Sequence, residues 1–118
     1  MKTAMVPIQL LPQADAFIRD LIPGVLDAAG LQEQAEAMRS VRPCASSREI
    51  ERACSALWSV RDSAHEAAPG WEDTLHETAF WGEAAIWAAA SGDSDTFEMC
   101  VDRVRAAVAE GPGRASVH

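Results

Sequence analysis

Apolar residues along the chain recur at steps of three and four, the spacing that stacks side chains on one face of an α-helix. Ala14, Phe17, Ile18, Leu21 and Ile22 make the first such stripe, and Pro23-Gly24 predicts its end. A second helix can begin at once on that proline, because a first helical position needs no amide. It carries Val25, Leu26 and Ala29 and continues or kinks at Gly30 into Leu31, Ala35 and Met38, until Pro43 closes it. Ser46-Ser47-Arg48-Glu49 has capping-box spacing, a serine hydroxyl taking an orphan amide and a glutamate reaching back, and predicts a third helix. There Ile50, Cys54, Leu57, Arg61, Ala64 and Ala68 fall within a narrow arc, with Glu51, Asp62 and Glu66 on the far side.

Pro69-Gly70 predicts a tight turn into a fourth helix from about Trp71 to Ala90, with Trp71, Leu75, Ala79, Gly82, Ile86 and Ala89 on one face. Its second half, Ala79 to Trp87, is apolar nearly all round, which places it at the centre of a bundle or beneath a partner. Ser91-Gly92-Asp93-Ser94 supplies a stop and a new cap, and Asp95 stands three residues before Glu98, again with capping-box spacing. Phe97, Val101, Val104 and Val108 form the buried stripe of a fifth helix that ends at Gly111-Pro112-Gly113. No stretch alternates as a strand would. The expected fold is an all-α, compact bundle of four to five antiparallel helices. Residues 1–12 read as an extended N-terminal arm, 13–110 as a single helical-bundle domain and 111–118 as a flexible tail.

Composition narrows this picture. At 118 residues the chain holds one domain, large enough to build a core without metals or disulfides to staple it. Cys44, Cys54 and Cys100 are an odd number at spacings that fit neither a CxxC pair nor a disulfide framework, so they read as reduced thiols. The N-terminus lacks a convincing leader, and the longest apolar stretch, Ala84 to Ala90, is far too short to span a bilayer. A cytoplasmic protein is expected.

Charge changes the picture more. The formal net charge is −8, a balance that repels phosphates and anionic membranes and argues against either as a direct partner. Between Asp62 and Asp102 there is no Lys or Arg, yet the stretch holds Asp62, Glu66, Glu72, Asp73, Glu77, Glu83, Asp93, Asp95, Glu98 and Asp102. The excess negative charge therefore belongs to one helical hairpin and the end of the helix before it. Trp71, Trp81 and Trp87 lie in the same stretch, and on a helical wheel Trp81 and Trp87 project to opposite flanks. Arg48, Arg52 and Arg61 on the third helix, with Arg39 and Arg42 before it, could form a small basic patch, but pairing with this acidic hairpin is the expected arrangement.

One local pattern suggests chemistry. Asp62-Ser63-Ala64-His65-Glu66 and Asp73-Thr74-Leu75-His76-Glu77 repeat Asp-x-x-His-Glu on either side of the turn, and antiparallel helices would bring His65 and His76 together. Imidazoles and carboxylates at such spacings hold metals in helical bundles, with His65, Glu72 and His76 the candidate ligands. Cys44, ahead of a helix N-terminus, is the one thiol that position could activate. No nucleophile elbow or phosphate-cradling glycine loop occurs.

The reading favoured by the residues is a non-enzymatic acidic protein-binding module, an adaptor, inhibitor or immunity-type factor facing a basic protein surface, with no cofactor. Asp62, Glu66, Asp73, Glu77, Trp81, Glu83 and Trp87 are its candidate partner-binding residues. A metal-binding helical-bundle enzyme or sensor is the alternative, and self-association through the arm or fourth helix, as in a homodimer, a third.

Overall fold

The computed structural model describes residues 7–111, and five helices carry most of that stretch. The chain is an all-α bundle. Residues 1–6 of the expected arm, and the expected tail from residue 112 on, lie outside the described residues.

The first helix, α1, runs over residues 14–28 and is not broken at Pro23-Gly24. It has α-helical turns at Ala14–Ala16 and Ile22–Ala28, with a π-helical stretch at Phe17–Leu21 between them. There the Ile22 amide donates to the Phe17 carbonyl, five residues back. Proline lacks the amide and crowds the carbonyl four residues before it, so an α-helix would normally stop. Widening the turn just ahead of Pro23 lets the chain stay helical, and Phe17, Ile18, Ile22, Val25 and Leu26 all remain buried on one continuous element. The expected break is thus replaced by a π-turn.

The helix stops at Gly30 instead. Gly30 adopts a φ of 84°, its amide donates to the Asp27 carbonyl, and the Leu31 amide reaches the Leu26 carbonyl at 2.8 Å. That is a Schellman ending, stapled by buried Leu26 and Leu31. A separate helix α2 follows at Gln32–Arg39.

A two-residue ladder, overlooked because two residues show no periodicity, pairs β1 (Ile8–Gln9) antiparallel with β2 (Cys44–Ala45). The Leu11 amide donates to the Ala89 carbonyl (3.3 Å), and Leu10 is buried, so residues 8–11 pack on the helices.

Helix α3 (Ser47–Ala67) opens with the expected capping box: the Glu49 amide donates to Ser46 Oγ (3.1 Å) and the Ser46 amide to Glu49 Oε1 (2.9 Å). Helix α4 (Glu72–Ser91) turns back along it, and α5 (Ser94–Glu110) turns back along α4. The α5 cap differs from the capping box expected of Asp95 and Glu98. Asp93 is the N-cap, accepting from the Thr96 amide (3.1 Å) and hydroxyl (2.7 Å), because only a residue ahead of the first turn can reach the orphan amides. These bonds hold the Asp93 carboxyl below its ordinary range, the Thr96 hydroxyl contributing most.

Core residues of α1, α3 and α5 pack against α4. A Cβ at Gly82 would lie 3.2 Å from Ile22 Cδ1 and 3.3 Å from Leu57 Cδ1, so a glycine here lets α1 and α3 approach α4 closely. Phe17 of α1 and Phe97 of α5 meet edge to face with centroids 5.6 Å apart. No helix among the described residues is long and apolar enough to cross a membrane.

Candidate functional site

Helix α4 is flanked by α3 on one side and α5 on the other, which divides its residues sharply. Thr74, Leu75, Thr78, Ala79, Gly82, Ala85, Ile86, Ala88 and Ala89 are buried, filling roughly half the wheel. The other half faces solvent. Along its middle run Asp73, Glu77, Phe80, Ala84 and Trp87, from the acidic first turns to an apolar second half. Phe80 is 55% exposed and Trp87 45%, unusually open for side chains of this size.

The two flanking tryptophans have different surroundings. Trp81 is half-buried on the α5 side; the Arg103 guanidinium lies 5.1 Å from its ring centroid, and its Nε1–H donates to Glu77 Oε1 at 3.0 Å. Trp87 has no aromatic or cationic partner among the described residues. Phe80 did not stand out in the sequence. The available signal was its spacing from Trp87, seven residues and thus two turns along one face, outside the arc centred on Leu75 and Gly82. Phe80 meets Trp81 edge to face at 4.8 Å and keeps its outer side free.

Of the remaining candidates, Asp62 and Glu66 are exposed on α3. Glu83 is half-buried, beside α3, where its charge adds to burial in pushing the Cys54 thiol up to about 12. The seven candidate partner-binding residues are therefore spread over two helices, with Asp73, Glu77 and Trp87 together on the α4 stripe.

The arginines do not neutralise this region. Arg39 pairs with Asp27 of α1 and with Glu36 one turn back in α2, and Arg42 grips Glu49 through two bonds of 2.6 and 3.0 Å, so both are satisfied by carboxylates outside the acidic hairpin. Arg61 stacks over Trp58 at 4.0 Å from its centroid. Arg48 and Arg52 are exposed and make no ion pair among the described residues. For Arg39 and Arg42 the expected cross-pairing gives way to carboxylates that lie closer: Glu36 one helical turn away, Glu49 one short loop away, and Asp27, which the packing of α1 on α2 sets beside Arg39.

Between the start of α4 and the end of α5 lies a cleft of about 320 Å³, lined by Asp73, Glu77, Glu110 and Arg103, with Ala106 and Ala107 adding little bulk. Three carboxylates face one guanidinium, itself drawn toward Trp81. The carboxyl end of α5 adds the negative pole of a helix dipole, with no basic residue in its last turn.

The doubled Asp-x-x-His-Glu pattern is only partly gathered. His65 Nδ1 lies 3.3 Å from Glu72 Oε2, across the turn. Glu72 Oε1 accepts the Gly70 amide at 2.8 Å. Glu72 is held below the usual carboxylate range by its own amide first, then Gly70's, and less by His65. It closes a turn. His76 is exposed one turn further on and bonds to neither. Among the described residues no three His, Cys, Asp or Glu side chains are grouped to hold a metal.

The three cysteines are free: Cys54 and Cys100 are buried, and Cys44 is exposed in β2. Burial also raises the Cys100 thiol. Comparison of the chain with family models, curated proteins and solved structures found no match.

Proposed function

We propose that the chain is a non-enzymatic, acidic helical protein-binding module, an adaptor, inhibitor or immunity-type factor, with residues 13–110 as its helical bundle and residues 8–11 packed on it. It presents the α3–α4–α5 hairpin region to a basic protein surface. The observation that carries this reading is that no arginine among the described residues pairs with a carboxylate between Asp62 and Asp102. Solvated carboxylates in excess of the cations near them project a field that speeds encounter with a basic partner and disfavours acidic ones. Three unpaired thiols suit a reducing, cytoplasmic setting.

The test compares the immobilised chain with its Asp73→Lys/Glu77→Lys variant as baits for native extract. Basic proteins held at low salt and released at high salt are expected on the first bait and missing from the second, because exposed charges are screened beyond about 10 Å at 0.1 M salt. Equal retention of the same proteins by both baits at low salt overturns the reading.

A further inference from the structure

Resting on that reading, we propose that the outer stripe of α4 docks one amphipathic basic helix of a partner protein, its aliphatic side on Phe80, Ala84 and Trp87 and a lysine or arginine in the cleft between Asp73, Glu77 and Glu110. From Asp73 to Trp87 the stripe covers fifteen residues, a rise of about 21 Å, which a partner helix of the same number of residues matches. Its two halves ask for different chemistry. The Phe80–Trp87 half offers two large apolar side chains about half open to solvent with only alanine between them, a shallow site for aliphatic knobs at helical spacing. The Asp73–Glu77 half opens on a cleft of about 320 Å³ whose charge is net negative and whose small alanines leave room for a long cationic side chain.

Charge decides between occupants. A second copy of this chain, laid antiparallel across a two-fold axis at Phe80, would set Glu77 of one chain against Glu83 of the other, carboxylate against carboxylate on chains of net charge −8. A basic segment removes that repulsion. The stripe also differs from the other exposed aromatic, Trp58, whose ring face is already covered by Arg61.

The full chain is titrated with a labelled peptide of about 16 residues bearing leucines at i, i+4, i+7 and i+11 and lysines on the flanks, and with a scrambled peptide of identical composition. The amphipathic peptide is expected to bind about 10-fold or more tightly than the scrambled one. Phe80→Ser/Trp87→Ser should erase that preference while leaving the charge-driven binding common to both peptides. Ala84→Arg, a substitution compatible with helix, should do the same should the double variant fail to fold. Asp73→Lys/Glu77→Lys should weaken both peptides together. If wild type binds the two peptides equally, the acidic reading stands and the docked helix is overturned; if neither binds at low salt, both fall. A dimer in sedimentation that Phe80→Ser/Trp87→Ser dissociates would assign the stripe to a second copy and overturn the proposal.

Discussion

Thr78 stands at the centre of α4 with no solvent exposure, and its hydroxyl has no hydrogen-bond partner among the described residues. Replacing it by valine tests what that hydroxyl costs. An unpaired buried hydroxyl forfeits its bonds to water, a penalty of about 1–3 kcal/mol. Valine is likewise β-branched and has nearly the same helix propensity, so the backbone term cancels. The added methyl is slightly larger than the hydroxyl, and in a packed site it gives back part of the gain. The net expectation for Thr78→Val is a stabilisation of about 1 kcal/mol. With an unfolding entropy near 2.1 cal/mol/K per residue, a chain of this size should melt about 4 °C higher. Thr78→Ser keeps the orphan hydroxyl and loses a methyl, so it should fall below wild type by about 1 kcal/mol. Urea and thermal unfolding followed by circular dichroism measure both. The position faces away from the outer stripe, so peptide binding by the valine variant should match wild type. Should Thr78→Val prove less stable than wild type by 1 kcal/mol or more, the hydroxyl is bonded in the folded protein and its orphan status is wrong.

Three further outcomes concern titrating groups. Native protein treated with a thiol reagent at neutral pH should lose one thiol, exposed Cys44, and three after denaturation; rapid native modification of Cys54 would contradict its burial. Because burial, then Glu83 and Glu51, raise Cys54 from 9.0 to about 12, the stability this neutral thiol contributes is full below pH 9 and should be lost as pH climbs toward 12. Glu49 works in the opposite direction. Its bond from Arg42 first, and then that from the Ser46 amide, lower its carboxyl from 4.5 to about 2, so its contribution is present above pH 4.5 and disappears as pH falls through 2. Arg42→Ala should lower stability at neutral pH and flatten the acid limb of a stability-against-pH curve, and an acid limb identical to wild type would refute the assignment.

Local physics was legible in the sequence. The Ser46–Glu49 capping box and the stops near Gly92 and Gly111 depend on groups within a few residues of one another, so residue types alone specify them. The stripes of α3, α4 and α5 were legible for the same reason, since the helical period alone decides which residues share a face. Where distant elements compete, the tertiary structure decided. Pro23 argues for a break, but burying Phe17, Ile18, Ile22, Val25 and Leu26 together outweighs it, and the chain takes a π-turn instead. Trp81 and Trp87 occupy opposite flanks of one wheel, and only the position of α5 decides that Trp81 lies under Arg103 while Trp87 stays open. Arg39 and Arg42 found partners by proximity after folding rather than by overall charge balance, which left the acidic stretch without an arginine ion pair among the described residues. A sequence lists its charges and apolar faces, but which of them remain unpaired is a property of the packing, because each pairing depends on distances that the fold alone creates.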